Sequence, residues 1–243
     1  MMRRTLERKA VSFAAGRRGI SLLHLNASIS DDSATSVVSM ALMACVHQQF
    51  LRAAWTQKKN IVVNSSTKQL TPFRVIERDL WSPDLPKFCK GTMNSCYRVL
   101  HGLGSPEDQM RMLPVQQLAQ ELLEADCVVI STPVWNHSVP YVLKQYMDCV
   151  VQPELTYSQA TQEPFVRGRT FVLVTSAGGD IREQDTTFSL VRSVFSSIGF
   201  THGHVISLQG LKEPTKREKQ LDAALFEAER IAQRVIEHNL VES

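Results

Sequence analysis

The chain has 243 residues, 43% of them hydrophobic and 21% charged, with a net charge of +3. That is the composition of a globular protein with one large α/β domain or two small ones. The charge is unevenly placed: residues 1–19 hold Arg3, Arg4, Arg8, Lys9, Arg17 and Arg18 against Glu7 alone, leaving 21 basic and 23 acidic groups elsewhere. A near-neutral body offers no electrostatic footprint for nucleic acid, and no apolar run approaches the length of a membrane span.

The first 19 residues are Arg-rich, acid-poor and lack the apolar stretch of a secretory signal. They match the composition of a mitochondrial transit peptide, the alternative being a basic tail with no address. They are set apart from a domain expected over residues 20–243. Five cysteines without CxxC spacing fit a reducing compartment and, lacking His at ligand spacing, give no metal site. Cys127 and Cys149 read as core, Cys89 and Cys96 as parts of a loop.

From Ile20 the chain alternates strands and helices. Ile20–Leu25 is a short apolar run, a buried strand. Ser28–Ser36 has the chemistry of a loop ending in a helix cap, and a helix follows to about Trp55. A polar loop with Asn64-Ser65-Ser66 precedes a strand at Phe73–Leu80. The stretch Trp81–Pro114, with four prolines and three glycines, reads as an irregular insertion or lid. Val115, Leu118, Ala119 and Leu122 mark an amphipathic helix, and Asp126–Thr132 a third strand. Val139 to Val150 repeats the helical spacing with Pro140 in the first turn. Thr170–Thr175 is a fourth strand, and Phe188, Val191, Phe195 and Ile198 mark a helix closed by Gly199 in the C′ position. Thr201–Leu208 and a helix over Leu221–Val235 complete the pattern.

Strands followed by helices predict a three-layer α/β fold: a five-stranded parallel sheet of order 2-1-3-4-5, with helices on both faces. Ligands in such sheets bind beyond the strand C-termini where strand order reverses. The loop after strand 1 offers hydroxyls and N–H groups at a helix start, a phosphate-sized site, or a plain helix cap. It has neither a Walker lysine nor GxGxxG, and Asp31 and Asp32 must point away from any phosphate. The loop after strand 3 places Trp135 and Asn136 where a flat apolar ring could be held. Lys144 and Asp148, at i and i+4, read as a structural ion pair.

The pattern Pro133-x-Trp135-Asn136-x-x-x-Pro140-x-x-Leu143-Lys144-x-x-x-Asp148 resembles the flavodoxin-like NAD(P)H:quinone oxidoreductases and FMN-dependent NADH-azoreductases. Thr175-Ser176-Ala177-Gly178-Gly179 resembles the family's turn after strand 4, and Asp79-Leu80 with Pro83 and Pro86 its strand 2 ending. Two departures stand out. Trp135 replaces the usual Tyr, and Glu154-Leu155-Thr156-Tyr157 stands where many members have Gly-x-Thr-Phe. The resemblance implies FMN as cofactor, NADH or NADPH as donor, and two-electron ping-pong reduction of a quinone or azo compound by a homodimer. It assigns Ser28, Ser33, Ala34 and Thr35 to the phosphate and ribityl chain. Pro133, Val134, Trp135, Asn136 and His137 go to the flavin ring, and Ser176, Gly178 and Gly179 to its pyrimidine end. A flavodoxin-like electron carrier and a non-catalytic flavin-binding or regulatory protein are the alternatives on the same fold.

Overall fold

The computed structural model describes residues 19–30, 32–58, 73–181 and 185–241. The basic tail through Arg18, Asp31 and the Asn64–Ser66 segment lie outside them. The elements in chain order are β1 (Ile20–Asn26), α1 (Ala34–Lys58), β2 (Phe73–Asp79), α2 (Lys90–Leu100), α3 (Pro106–Glu124), β3 (Cys127–Pro133), α4 (Tyr141–Val150), β4 (Thr170–Ser176), α5 (Thr187–Ser197), β5 (His202–Leu208) and α6 (Pro214–Val241). The five strands form one parallel sheet in the order β2-β1-β3-β4-β5, as the sequence pattern predicts.

Both faces of the sheet are covered, so its central strands read as continuous apolar runs rather than alternating ones. Leu23, Leu25, Val128, Ile130, Phe171 and Leu173 point to one face, beneath Leu118 and Leu122 of α3, Leu143 and Tyr146 of α4, and Val191 and Phe195 of α5. Leu22, Cys127, Val129, Val172, Val174 and Ile206 point to the other, beneath α1 and α6. Each such side chain contributes about 1.5–3 kcal/mol when fully buried. In α1 the inward stripe is Val38, Leu42, Val46 and Phe50, four residues apart. The 22-residue stretch Ala34–Trp55 is, by length and a mean hydropathy of 1.2, long and apolar enough to cross a membrane. The packing of its stripe against sheet and α6 buries about half of that stretch, while Met40, Leu51 and Trp55 of the same helix stay exposed.

Several local expectations need correction. Trp81–Pro114 is not irregular: it carries α2 and the first half of α3. Ser105 caps α3, its Oγ accepting the Asp108 N–H at 3.2 Å while Asp108 Oδ2 accepts the Ser105 N–H at 3.0 Å. Pro106 therefore sits at the first helical position, where its missing N–H costs nothing. Pro114 lies inside α3; the carbonyl it deprives of a donor belongs to Met110, which is 71% exposed. Asp108 also accepts from Ser95 and Arg98, which tie α2 to α3 and hold its carboxyl far below the usual range. Cys96 is accordingly helical and buried, and Cys89 caps α2. Pro140 is the cap of α4 and precedes its first turn. Phe188 is 40% exposed and does not face the core. Gly199 takes φ +98° beyond α5, and a Cβ there would sit 1.9 Å from the Val166 carbonyl oxygen, so the predicted glycine stop is sterically required.

Candidate functional site

The loops after β1, β3 and β4 leave the same edge of the sheet, at the reversal of strand order between β1 and β3. Backbone hydrogen bonds hold them in one arrangement. Ala27 N–H donates to Ser131 O at 2.8 Å, and Val134 N–H to Ser176 O at 2.8 Å. Trp81 Nε1 donates to Ala27 O at 3.0 Å.

In the first loop Ser33 is the helix cap, its Oγ accepting the Ser36 N–H at 3.1 Å. Ser28 Oγ lies 2.6 Å from Thr35 Oγ1, which is 3.0 Å from Ser33 Oγ. The assigned residues are thus brought together, but not equally presented. Thr35 is fully buried and its hydroxyl is already engaged, while Ala34 and Ser28 are nearly buried. A phosphate here would meet the Ser33 hydroxyl and the N–H groups of the first turn of α1, which a helix start leaves without intrahelical partners. Asp32 is exposed and turned to solvent.

The second loop is a two-residue hairpin. Trp135 N–H donates to Ser138 O at 2.9 Å and Ser138 N–H to Trp135 O at 3.0 Å, with Asn136 at φ +50° and His137 at φ +63°. Two successive positive φ values give the turn its right-handed twist and aim Asn136 and His137 outward. Thr186, just before α5, clamps this tip: its N–H donates to His137 O at 2.9 Å and its Oγ1 at 3.1 Å. Trp135 is 39% exposed and leans on Trp81 with ring centres 5.8 Å apart, and Trp81 in turn meets Tyr141 edge-on at 5.5 Å. Beside the hairpin an open cavity of about 450 Å³ is lined by Phe88, Ser138, Val139, Tyr141, Lys144 and Leu190. Lys144 pairs with Asp148 in its wall, the structural ion pair expected.

In the third loop Gly178 and Gly179 are exposed. A Cβ on Gly179 would meet nothing within 4 Å, whereas one on Gly178 would approach the side chain of Lys212, with Cε at 3.0 Å. The open position is therefore Gly179; the crowding at Gly178 comes from the protein itself. Four backbone bonds lace this turn to the end of β5 and the β5–α6 connection, among them Gly210 N–H to Gly179 O at 2.9 Å and Lys212 N–H to Gly178 O at 3.1 Å. A capped helix start, an exposed indole on a clamped hairpin and a glycine turn open at Gly179 fit the phosphate, ring face and ring edge of an FMN.

Sequence reasoning missed Trp81, Tyr141, Thr186 and Lys212. Each reaches the site through a fold contact, so the only available signal was the aromatic character of Trp81 and Tyr141 beside the family motifs. Below the loops, on the α1 side, lies a buried polar chain: His24 Nε2 is 2.6 Å from Ser131 Oγ, which is 2.6 Å from Ser39 Oγ. Glu77 Oε1 stands 3.5 Å from His24 Nδ1, an ion-pair distance without hydrogen-bond geometry. Burial outweighs Glu77 and pushes the His24 pKa down.

Residues 47–232 match the family model described as flavodoxin-like fold. The chain is 31% identical over 152 residues to the FMN-dependent NADH:quinone oxidoreductase 8 of Burkholderia lata, covering 60% of this chain and 71% of that protein. It is 27% identical over 165 residues to the FMN-dependent NADH:quinone oxidoreductase of Desulfotalea psychrophila, covering 64% and 78% respectively. Among solved structures, an azoreductase from Bacillus anthracis superposes with a TM-score of 0.69 at 22% identity, over 88% of this chain and 99% of that one, a likeness of fold. The match over most of the chain and the sheet order together place it: this chain belongs to the flavodoxin-like fold family, alongside the FMN-dependent NADH:quinone oxidoreductases.

Proposed function

We propose that this chain binds one FMN across the three loops and uses NADH or NADPH to reduce quinones, and azo compounds, by two electrons. The observation that carries the reading is the 31% identity to an FMN-dependent NADH:quinone oxidoreductase over 71% of its length. The convergence of the three loops on one sheet edge supports it.

In this reading Ser28, Ser33, Ala34 and Thr35 hold the phosphate and ribityl chain, with Ala34 and Thr35 acting through backbone N–H groups. Pro133 through His137 flank the ring, and Ser176, Gly178 and Gly179 border its pyrimidine end. When bound, FMN supplies the carrier that accepts a hydride and hands on two electrons. The protein's part is placement. The Thr186 clamp fixes the hairpin, and the Trp135 indole, backed by Trp81, walls off water from one side. Donor and acceptor share the one face left open, so they occupy it in turn, which is the basis of a ping-pong cycle. A second copy of the chain covers the exposed Ile29, Trp135 and Tyr141 and closes the pocket in a homodimer, which sedimentation checks directly. The basic tail is proposed as a mitochondrial address, and a fluorescent reporter carrying it tests that: diffuse cytosolic signal removes the address.

The decisive experiment is anaerobic stopped-flow mixing of flavin-loaded protein with each nicotinamide. Bleaching of the yellow absorbance within seconds is expected, with parallel double-reciprocal plots when menadione is the acceptor. A flavin that neither nicotinamide bleaches leaves an electron carrier as the better reading.

A further inference from the structure

The side chain of Lys212 lies across the glycine turn after β4. Its Cε, Cγ and Cδ come within 3.0, 3.2 and 3.6 Å of the point where a Gly178 Cβ would be, and its ammonium is one bond beyond Cε. Its backbone is fixed to the same turn by Lys212 N–H to Gly178 O at 3.1 Å and Leu211 N–H to Ala177 O at 3.2 Å. The acid of that turn, Asp180, is taken by Lys216 at 2.6 Å. Among the described residues no carboxylate pairs with Lys212. Among the described residues, then, a cation is held over Gly178 without a carboxylate partner, while Asp180 is neutralised by a different lysine.

Reduced flavin at neutral pH carries its negative charge on the N1–C2=O edge of the pyrimidine ring. Charge placed beside that edge is one of the few means a protein has to tune the cofactor. We infer that Lys212 is the group that stabilises the negative charge of the reduced cofactor at the Gly178–Gly179 turn and so raises its reduction potential. The inference rests on the FMN reading above. Lys212 belongs to the β5–α6 connection, outside the three loops that the sequence motifs mark.

The test compares full-length protein with Lys212→Met, which keeps the stem over Gly178 and removes only the charge, and Lys212→Arg, which keeps the charge. Two readouts are used: the two-electron midpoint potential of bound FMN, and the affinity for sulfite, which adds to oxidised flavin and loads the same edge with negative charge. Lys212→Met is expected to weaken sulfite binding about tenfold and lower the potential by about 30 mV, the equivalent for a two-electron couple. Lys212→Arg is expected to stay near wild type. An unchanged potential in Lys212→Met overturns the inference, as does a Lys212→Arg that falls equally far. Should Lys212→Met bind FMN less tightly, equal weakening of the oxidised and reduced forms overturns it too, and greater weakening of the reduced form supports it. Failure of the wild-type protein to bind FMN at all removes the parent reading instead, a result obtained before any variant is made.

Discussion

The two faces of the sheet are both sealed from water, but they are filled differently. Beneath α3, α4 and α5 the interior is aromatic: Phe171 and Phe195 lie 5.8 Å apart, Phe195 and Phe200 5.9 Å, and Tyr146 is fully buried beside them. Beneath α1 the packing is aliphatic apart from Phe50 against Phe73, 5.8 Å apart, and is interrupted by the chain His24–Ser131–Ser39. Those three residues are not at random heights. Ser131 precedes Pro133 by two positions, and Ser39 follows Thr35 by one helical turn. The polar chain thus ties the strand that launches the hairpin to the helix whose start forms the loop proposed to hold the phosphate. One face supplies bulk stability; the other trades some of it for fixed geometry between two parts of the site.

The contrast can be broken most forcefully on the aromatic face. Phe171→Ala should cost about 3–5 kcal/mol, from lost burial plus the cavity left among Phe195 and its neighbours, read as a large fall in the denaturation midpoint. On the polar face, Ser131→Ala orphans both His24 Nε2 and Ser39 Oγ and should cost about 1–3 kcal/mol. If the chain positions the loops, that variant also weakens FMN binding at temperatures where it is fully folded. An unaltered FMN affinity would confine the role of the chain to packing.

A pH experiment sharpens the same comparison. The folded state disfavours a proton on His24, as burial also does on His204, whereas the unfolded chain takes one near the ordinary value of 6.5. Below that value the unfolded state binds more protons, so stability falls as the pH drops through 6.5 toward the depressed folded pKa. His24→Gln should therefore be less stable at about pH 8 yet lose less than wild type between about pH 7.5 and 5.5, as urea titrations at each pH would report. The smallest effect is expected at Tyr146. Its buried hydroxyl has no hydrogen-bond partner among the described residues, so Tyr146→Phe should change stability by no more than about 1 kcal/mol, in the favourable direction. A clear loss would reveal a hidden partner for that hydroxyl.

The strands were legible because a doubly covered sheet demands apolar runs, and Cys127–Ile130 and Phe171–Val174 could serve nothing else. The helices of the 81–114 stretch were not, because Gly102, Gly104, Pro106 and Pro114 read as breakers. Two of them flank or follow the Ser105 cap, and Pro114 is tolerated only because Met110 faces solvent. The motif loops were legible in position but not in presentation: nothing in the letters shows that the Thr35 hydroxyl turns inward or that Lys212 crosses Gly178. The Glu154 departure acquires a physical meaning. Its φ is +59°, the left-handed conformation that suits the glycine of related chains and costs other residues about 1 kcal/mol or more. Here the Glu154 carboxylate offsets part of that by accepting the Gln159 N–H at 3.0 Å.

The sheet order also bears on how the chain must be made. β1 is the earliest strand yet lies in the interior of the sheet, with β2 on one side and β3 on the other. Its second neighbour begins at Cys127, about a hundred residues later, which a ribosome needs about 5–20 s to deliver. Until then Leu23 and Leu25 lack Val128, Ile130 and the later helices that complete their face of the core, and the exit tunnel releases an apolar strand with an open edge. A nascent chain of this architecture depends on that edge staying shielded, by its own α1 or by a chaperone, for the whole of that interval.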